Sequence, residues 1–316
     1  MKRAVSMCAM LAATVTSASH AQSVRTADSL LERGRLERAE SLYYAAARVR
    51  PRDPVARWAL GKFLAARGAQ RVAVTLFEEA LQFGGDAATV SADLAPLYMA
   101  LGDYHALATL PSAPLTLGER SRVTWLESHP TRLIAPDSVL TASFRLAGDE
   151  TYAGRMPIRV NGRIVEAVVD VSSRGIILSD SVAGTSHVHM FVEKDQSRGR
   201  GTFAAAADSV GIGRLSITNA PVTVSPIKLP AIVGLDVLAR FAATLDAGAG
   251  RATLRVSGTL DQPPASAMIL STLVKPGDWL VLQANGWMSL RDPTMVRLLR
   301  EHRWTLDAKH GQLIIE

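Results

Sequence analysis

Residues 167–178 set the tightest limits on how this 316-residue chain folds. An apolar run at 167–169 ends on Asp170, mostly small residues follow at 171–175, and an apolar run resumes at 176–178. Aliphatic and β-branched residues favour strands, and Ser and Gly favour the turn between them. The segment therefore predicts a buried strand that delivers one carboxylate to a tight turn, followed by a second strand.

Further patterns on either side extend this prediction. Residues 156–169 alternate in polarity around Asn161-Gly162, a dipeptide favoured by tight hairpin turns. Later in the chain, residues 232–234 form an apolar pair plus glycine that leads into a short helix, and residues 244–254 predict a closing hairpin. We expect Asp236, just after that glycine, to cap the helix at 237–241.

Together these motifs resemble the retropepsin-like aspartic peptidases, single-lobe relatives of pepsin, over residues 150–258. The resemblance implies an all-β acid-protease lobe in which Asp170 is the catalytic acid, on an active-site turn formed with Val171, Ser172 and Ser173. It also implies support of that turn by Ile232, Val233 and Gly234, and a flap at Gly199, Arg200 and Gly201 that covers the cleft.

The active-site triplet departs from the family's Asp-Thr-Gly or Asp-Ser-Gly. Here it is Asp170-Val171-Ser172, so the degenerate triplet lacks the hydroxyl that reaches the opposing lobe. Ser172 adds a side chain where the backbone crowds the acid, and Arg174 places a cation near a mechanism that needs two carboxylates sharing one proton. Because this chain carries the motif once, an active form would require a homodimer that pairs Asp170 with its copy.

Two functions follow from these observations. The first is peptide-bond hydrolysis through Asp170 in an aspartic-peptidase-like protein, with weak or lost activity. The alternative is non-catalytic binding of a peptide or protein, which uses the helical repeats described below and the old substrate cleft. Taken without its surroundings, Asp170 is also explained as an acid that caps a turn at a strand end.

Residues 1–21 have the features of a secretory signal peptide. Lys2 and Arg3 precede an apolar run at 4–15, and Ser19-His20-Ala21 places small residues where signal peptidase cleaves. We expect a mature chain that begins near Gln22, is periplasmic or secreted, and has no membrane span. The only cysteine, Cys8, lies in the removed segment, so disulfides and cysteine chemistry are excluded.

Charge and ligand spacing argue against several other classes of function. The 35 Lys and Arg residues exceed the 29 Asp and Glu residues, for a net charge of +6, but they are spread among the acids, which does not indicate nucleic-acid binding. His187 and His189 could face one side of a strand as a metal pair, yet no third ligand has suitable spacing. We therefore expect no metal and no cofactor.

Residues 22–112 contain an internal repeat. Gly34, Gly68 and Gly102 recur at the thirty-four-residue period of tetratricopeptide helix pairs, and alanines and aromatic residues keep the same register. The pattern predicts a short helical solenoid. Its role is either to offer a groove to a partner peptide or to act as a spacer packed on the next domain.

The predicted organisation is thus a multidomain α and β chain. A connector at 113–148, with a helix near 119–127, leads to the retropepsin-like lobe at 149–260 and a small α+β extension at 261–316. Residues 304–313 parallel 243–252, which indicates either the closing half of a second lobe without its acid-bearing half or ordinary hairpin chemistry. If the duplication is real, the extension covers the face where a second protomer would dock.

Overall fold

The computed structural model describes residues 22–191, 201–256, 260, 263–275 and 278–316. The amino-terminal region is helical, with α1 (22–32), α2 (Leu36–Val49), α3 (Pro54–Ala66), α4 (Gln70–Gln82), α5 (Ala87–Leu101), α6 (Tyr104–Thr109) and α7 (Leu117–Ser128). The β-rich remainder includes the helices α8 (Asp180–Thr185), α9 (Leu235–Leu238) and α10 (Pro293–Glu301).

The strands fall into two groups along the chain. The first comprises β1 (Arg132–Ile134), β2 (Val139–Ser143), β3 (Gly154–Val160), β4 (Arg163–Asp170), β5 (Ile176–Ser179), β6 (His189–Phe191), β7 (Phe203–Ile212), β8 (Leu215–Ser225) and β9 (Ala231–Gly234). The second comprises β10 (Ala242–Asp246), β11 (Arg251–Arg255), β12 (Met268–Lys275), β13 (Asp278–Gln283), β14 (Gly286–Ser289), β15 (Trp304–Asp307) and β16 (Gln312–Ile315).

Side-chain caps and glycine turns define the helical region. The Asp53 carboxylate accepts backbone N–H groups at the start of α3, and Thr116 and Glu119 form a reciprocal capping box at the start of α7. The three repeat glycines all have positive φ, from +71° to +85°, so each permits the sharp turn between two helices. Small and aromatic side chains then fill a continuous apolar core between the helices.

The first sheet has the strand order β1-β8-β5-β9-β4-β3-β7-β6. Because β7 also pairs with β8, six of its strands, from β8 round to β7, close into a ring. Alternate residues of β3 and β8 are buried inward, as the period of a strand requires. This ring surrounds the apolar core against which the Asp170 turn is built.

The second sheet joins three parts of the chain that the sequence patterns treated as separate. Its order is β14-β13-β12-β16-β15-β10-β11-β2. The strand β2 comes from the predicted connector, and β12 to β16 belong to the carboxy-terminal extension, residues 261–316. The connector also supplies β1 to the first sheet, whereas its sequence indicated only a helix.

The helical region packs on the extension through its turns. The Arg67 guanidinium donates to the backbone oxygens of Thr272 and Gly311, at 2.7 and 3.2 Å. A side chain at Gly68 would meet the Ala308 backbone oxygen at 2.1 Å, and one at Gly34 would meet Leu282. Gly34 and Gly68 are therefore contact points with the extension as well as turns. In the described part of the chain, no helix combines the length and the apolar character needed to cross a membrane.

Candidate functional site

Asp170 is the last residue of β4 and lies beside the element that carries Gly234. The strands β4 and β9 pair in parallel, with Asp170 opposite Gly234, and β5 pairs with β9 in the antiparallel direction from the other side. The chain therefore leaves β4 at the acid, turns through 171–175, and returns along the opposite edge of β9. This geometry brings together the site residues proposed from the two separate sequence patterns.

Gly234 allows the close approach between this element and the turn. A Cβ atom at Gly234 would lie 2.4 Å from the backbone oxygen of Ser173, which is closer than real Cβ atoms come to other atoms. The Gly234 N–H donates to the Gly175 oxygen at 2.8 Å. Ile232 and Val233 are buried beneath, so the packed β9 strand fixes the position of the turn.

Asp236 does not cap a helix at 237–241, and that expectation is wrong. The helix α9 begins at Leu235 with Gly234 as its N-cap, so Asp236 lies in the first turn. Its carboxylate accepts the Gly175 N–H at 2.8 Å and so ties the end of the Asp170 turn to α9. Burial raises the pKa of Asp236, although the Gly175 hydrogen bond and the charge of Arg174 oppose that effect.

Donors from its own turn surround the Asp170 carboxylate, which is 9% exposed. Oδ1 accepts the Ser172 N–H at 2.9 Å, and the Ser172 hydroxyl lies 2.8 Å from Oδ1 and 2.9 Å from Oδ2. The Ser173 hydroxyl donates to Oδ2. Among the residues that the structure describes, no second acid is hydrogen-bonded to Asp170, and serine at 172 is accommodated because its side chain folds back onto the acid.

Val171 points the other way, into the core, and is 2% exposed. It therefore contributes packing at the position where the family has a hydroxyl that reaches the other lobe. The side chain of Arg174, expected near Asp170, donates to the Lys275 backbone oxygen at 3.5 Å. Val171 and Arg174 thus both serve contacts other than the pairing of two acids.

The extension brings a further cation to the turn. Arg291, in the link between β14 and α10, donates to the Ser172 backbone oxygen at 3.2 Å. Sequence reasoning missed this residue because it lies 119 positions from Ser172 and in no recognisable motif. Burial raises the pKa of Tyr152, and the negative charges of Asp170 and Asp149 add to that effect.

The flap prediction lies partly outside the described residues. Gly199 and Arg200 are outside them, whereas Gly201 is described and precedes β7. The strands β6 and β7, on either side of the flap segment, are antiparallel partners. His189 on β6 stacks on Trp125 with the ring centroids 5.6 Å apart, and the described residues contain no group of three or more His, Cys, Asp or Glu side chains placed to hold a metal ion.

Comparison with known proteins gives similarity only among solved structures. No protein-family model and no curated protein matches the chain. A retropepsin-like aspartic protease from Rickettsia conorii is 16% identical, covers 39% of this chain and 90% of its own, and has a TM-score of 0.26. The retroviral protease-like domain of Ddi1 from Leishmania major is 20% identical, covers 28% and 75%, and has a TM-score of 0.22. Similarity at these TM-scores does not assign a function to this chain, and the geometry of the Asp170 turn has to be considered by itself.

Proposed function

We propose that this chain is an exported, retropepsin-like protein that binds extended peptides in the old substrate cleft and does not hydrolyse them efficiently. The main support for this proposal is the environment of Asp170. Its two carboxylate oxygens accept hydrogen bonds from Ser172 and Ser173, and a cationic residue of the extension, Arg291, contacts the same turn.

The chemistry of aspartic peptidases explains why this environment opposes hydrolysis. One carboxylate must activate a water while a partner acid protonates the carbonyl oxygen of the substrate. In this chain, the Asp170 carboxylate instead accepts hydrogen bonds from the hydroxyls of Ser172 and Ser173, which would compete with a bound water and with a partner acid. Arg291, whose Nε lies 4.0 Å from the Asp278 carboxylate, also places a positive charge at the turn, and a nearby cation favours the ionised form of an acid over a shared proton.

Peptide binding is supported by what the lobe retains. The strand β6 is the last in the order of the first sheet and pairs with β7 on one side, and an extended peptide can pair with the edge of a sheet as an added strand. The turn remains open to solvent at Ser172 and Ser173, which are only partly buried. The export proposal is carried by residues 1–21, and the tetratricopeptide assignment by the spacing and positive φ of the repeat glycines.

A peptide assay separates binding from hydrolysis. We expect purified mature protein to cleave a fluorescent decapeptide library no faster than its Asp170→Asn variant, between acidic and neutral pH. Both proteins should bind library peptides in fluorescence anisotropy with dissociation constants within about threefold of each other. We expect this because both carboxylate oxygens of Asp170 already accept hydrogen bonds from Ser172 and Ser173. The variant Ser173→Trp, which places a large ring at the turn, should weaken binding by about tenfold.

Two results would contradict the proposal. Cleavage that the Asp170→Asn substitution abolishes would show that the peptidase is active. Absence of both cleavage and binding, in protein that melts cooperatively, would remove the binding function as well.

A further inference from the structure

The second sheet has the same strand pairing on both sides of its β10–β15 contact. Outward from β10, the neighbours are β11 and then β2, and outward from β15 they are β16 and then β12. All five contacts are antiparallel. A helix precedes each central hairpin, α9 before β10 and α10 before β15. The six central strands are therefore organised as two similar halves that meet at one strand pair, and β13 and β14 continue the sheet beyond β12.

The register shows that the two halves are related by a local two-fold axis. Thr244 is opposite Thr305, with Ala243 opposite Leu306 and Leu245 opposite Trp304. The hydroxyl oxygens of Thr244 and Thr305, 61 residues apart in sequence, are 2.8 Å from each other in a buried contact. The threonine pair thus lies on the axis, as a residue and its copy would in a symmetric dimer.

The turns of the two hairpins repeat at the same spacing of 61 residues. Asp246 accepts the N–H of Ala249, and Asp307 accepts the N–H of His310, three residues further on in each case. Gly250 and Gly311 follow with φ of +68° and +62°. A shared turn, a shared register and a shared neighbour order favour duplication over ordinary hairpin chemistry.

The second half lacks the part that carries the acid. Between β4 and α9, the first half contains the Asp170 turn and the strands β5 to β9. Between β14 and α10, the extension has only the link Leu290-Arg291-Asp292. It is this link that reaches the Asp170 turn, through the Arg291 contact with Ser172.

The extension also holds the lobe on a second side of the site. From α10, the Arg300 guanidinium donates to the backbone oxygens of Ala147, Asp149 and Tyr152, at distances between 2.9 and 3.1 Å. On β15, the Trp304 and Leu306 side chains are completely buried. Their burial means that the extension cannot leave the edge of β10 without exposing the centre of the sheet.

We propose that the extension is a built-in replacement for a second protomer. It covers the edge of β10 on which a two-fold partner would pair, and it brings Arg291 to the turn where such a partner would bring its own Asp170. The working unit is then one chain, and the homodimer that an acid pair would require cannot form while β15 is paired with β10. This inference concerns assembly and does not depend on whether peptides bind the cleft.

Cysteine crosslinking tests the proposal in the full-length mature chain. With Cys8 removed in the leader, no native thiol interferes. The double variant Thr244→Cys with Thr305→Cys should form a disulfide within one chain on mild oxidation, seen as a monomer of altered mobility on a non-reducing gel. The single variant Thr244→Cys should form no more dimer than Thr141→Cys, an exposed control on β2 that reports random collision.

A symmetric dimer through β10 would give the opposite pattern. Two copies of Thr244 would then meet at the axis, so Thr244→Cys alone would crosslink two chains well above the Thr141→Cys background. Failure of the double variant to close within the chain would also overturn the proposal. If the cysteine variants do not fold, light scattering of the unmodified protein decides, because the proposal requires the mass of one chain and a dimer has twice that mass.

Discussion

Asp236 is an acid held where water cannot fully solvate it. Its carboxylate accepts the Gly175 N–H, and burial raises its pKa above the ordinary value of 3.8. The native state consequently binds a proton at Asp236 more tightly than the unfolded chain does. By linkage, this group favours folding at pH values below 3.8, and that contribution is lost as the pH rises through the raised pKa of the folded state.

The variant Asp236→Asn should remove this pH dependence while keeping an oxygen that can accept the Gly175 N–H. We expect the melting temperature of the variant, relative to that of the wild type, to increase between pH 4 and pH 7, because the wild type loses the contribution of the proton on Asp236 as the pH rises and the variant does not. Each tenfold difference in proton affinity between the folded and unfolded states corresponds to about 1.4 kcal/mol. The measurement is thermal unfolding followed by circular dichroism at several pH values. Asp180→Asn, at an exposed position, is the matched control. A difference that stays constant with pH would contradict the assignment.

At the scale of elements, the helical repeat serves the contact with the extension as well as its own turns. Gly68 has φ of +85° and a backbone oxygen of Ala308 next to its α-carbon, whereas Gly84 has the same φ and open space around it. Gly68 and Gly84 therefore separate two reasons for having glycine at a position. Strain from positive φ acts at both glycines, and the close approach to the extension acts only at Gly68.

Substitution of each glycine by alanine measures the difference. Gly84→Ala should lower the free energy of unfolding by about 1–2 kcal/mol, from backbone strain alone. Gly68→Ala should lower it by about 1–3 kcal/mol more, because the added methyl group must displace the β15–β16 turn. Urea titration of both variants provides the comparison. Equal losses would show that the helices and the extension do not make this contact.

Local patterns in the sequence predicted the elements around Asp170. The alternation in β3 and β4, the Asn161-Gly162 turn and the apolar pair before Gly234 are all signals within a few residues of one another. The short strands β1 and β2, of three and five residues, gave no such signal. Register across β10 and β15 and the position of Arg291 depend on contacts between distant residues, and no local pattern encodes those contacts. The role of Asp236 was misjudged because its partner, Gly175, is 61 residues away.

At the scale of the whole molecule, the extension connects the helical region with the β-rich lobe, which the sequence patterns divide into separate domains. Its strands complete the sheet begun by β2, β10 and β11, and its turns receive Arg67 and Gly68 from the helices. The Trp287 ring N–H also donates to the Leu31 backbone oxygen in α1. Contacts at several points along this boundary should couple the unfolding of the helices to that of the sheet.

Arg67→Met tests that coupling. The substitution removes both hydrogen bonds to Thr272 and Gly311, and the unbranched methionine side chain replaces the apolar stem of the arginine. Hydrogen bonds from a charged donor contribute about 1.5–3 kcal/mol, so we expect a loss of stability in that range. With Trp58→Phe and Trp125→Phe in the background, the remaining tryptophans, Trp279, Trp287 and Trp304, lie on strands of the extension, so fluorescence reports on the sheet. Helical circular dichroism and this fluorescence should then show one shared transition that moves to lower temperature by the same amount. Arg71→Met, at an exposed position in the next helix, should change little. If the helical signal shifted while the fluorescence transition of the sheet stayed in place, the two regions would be independent folding units and the extension would not connect them energetically.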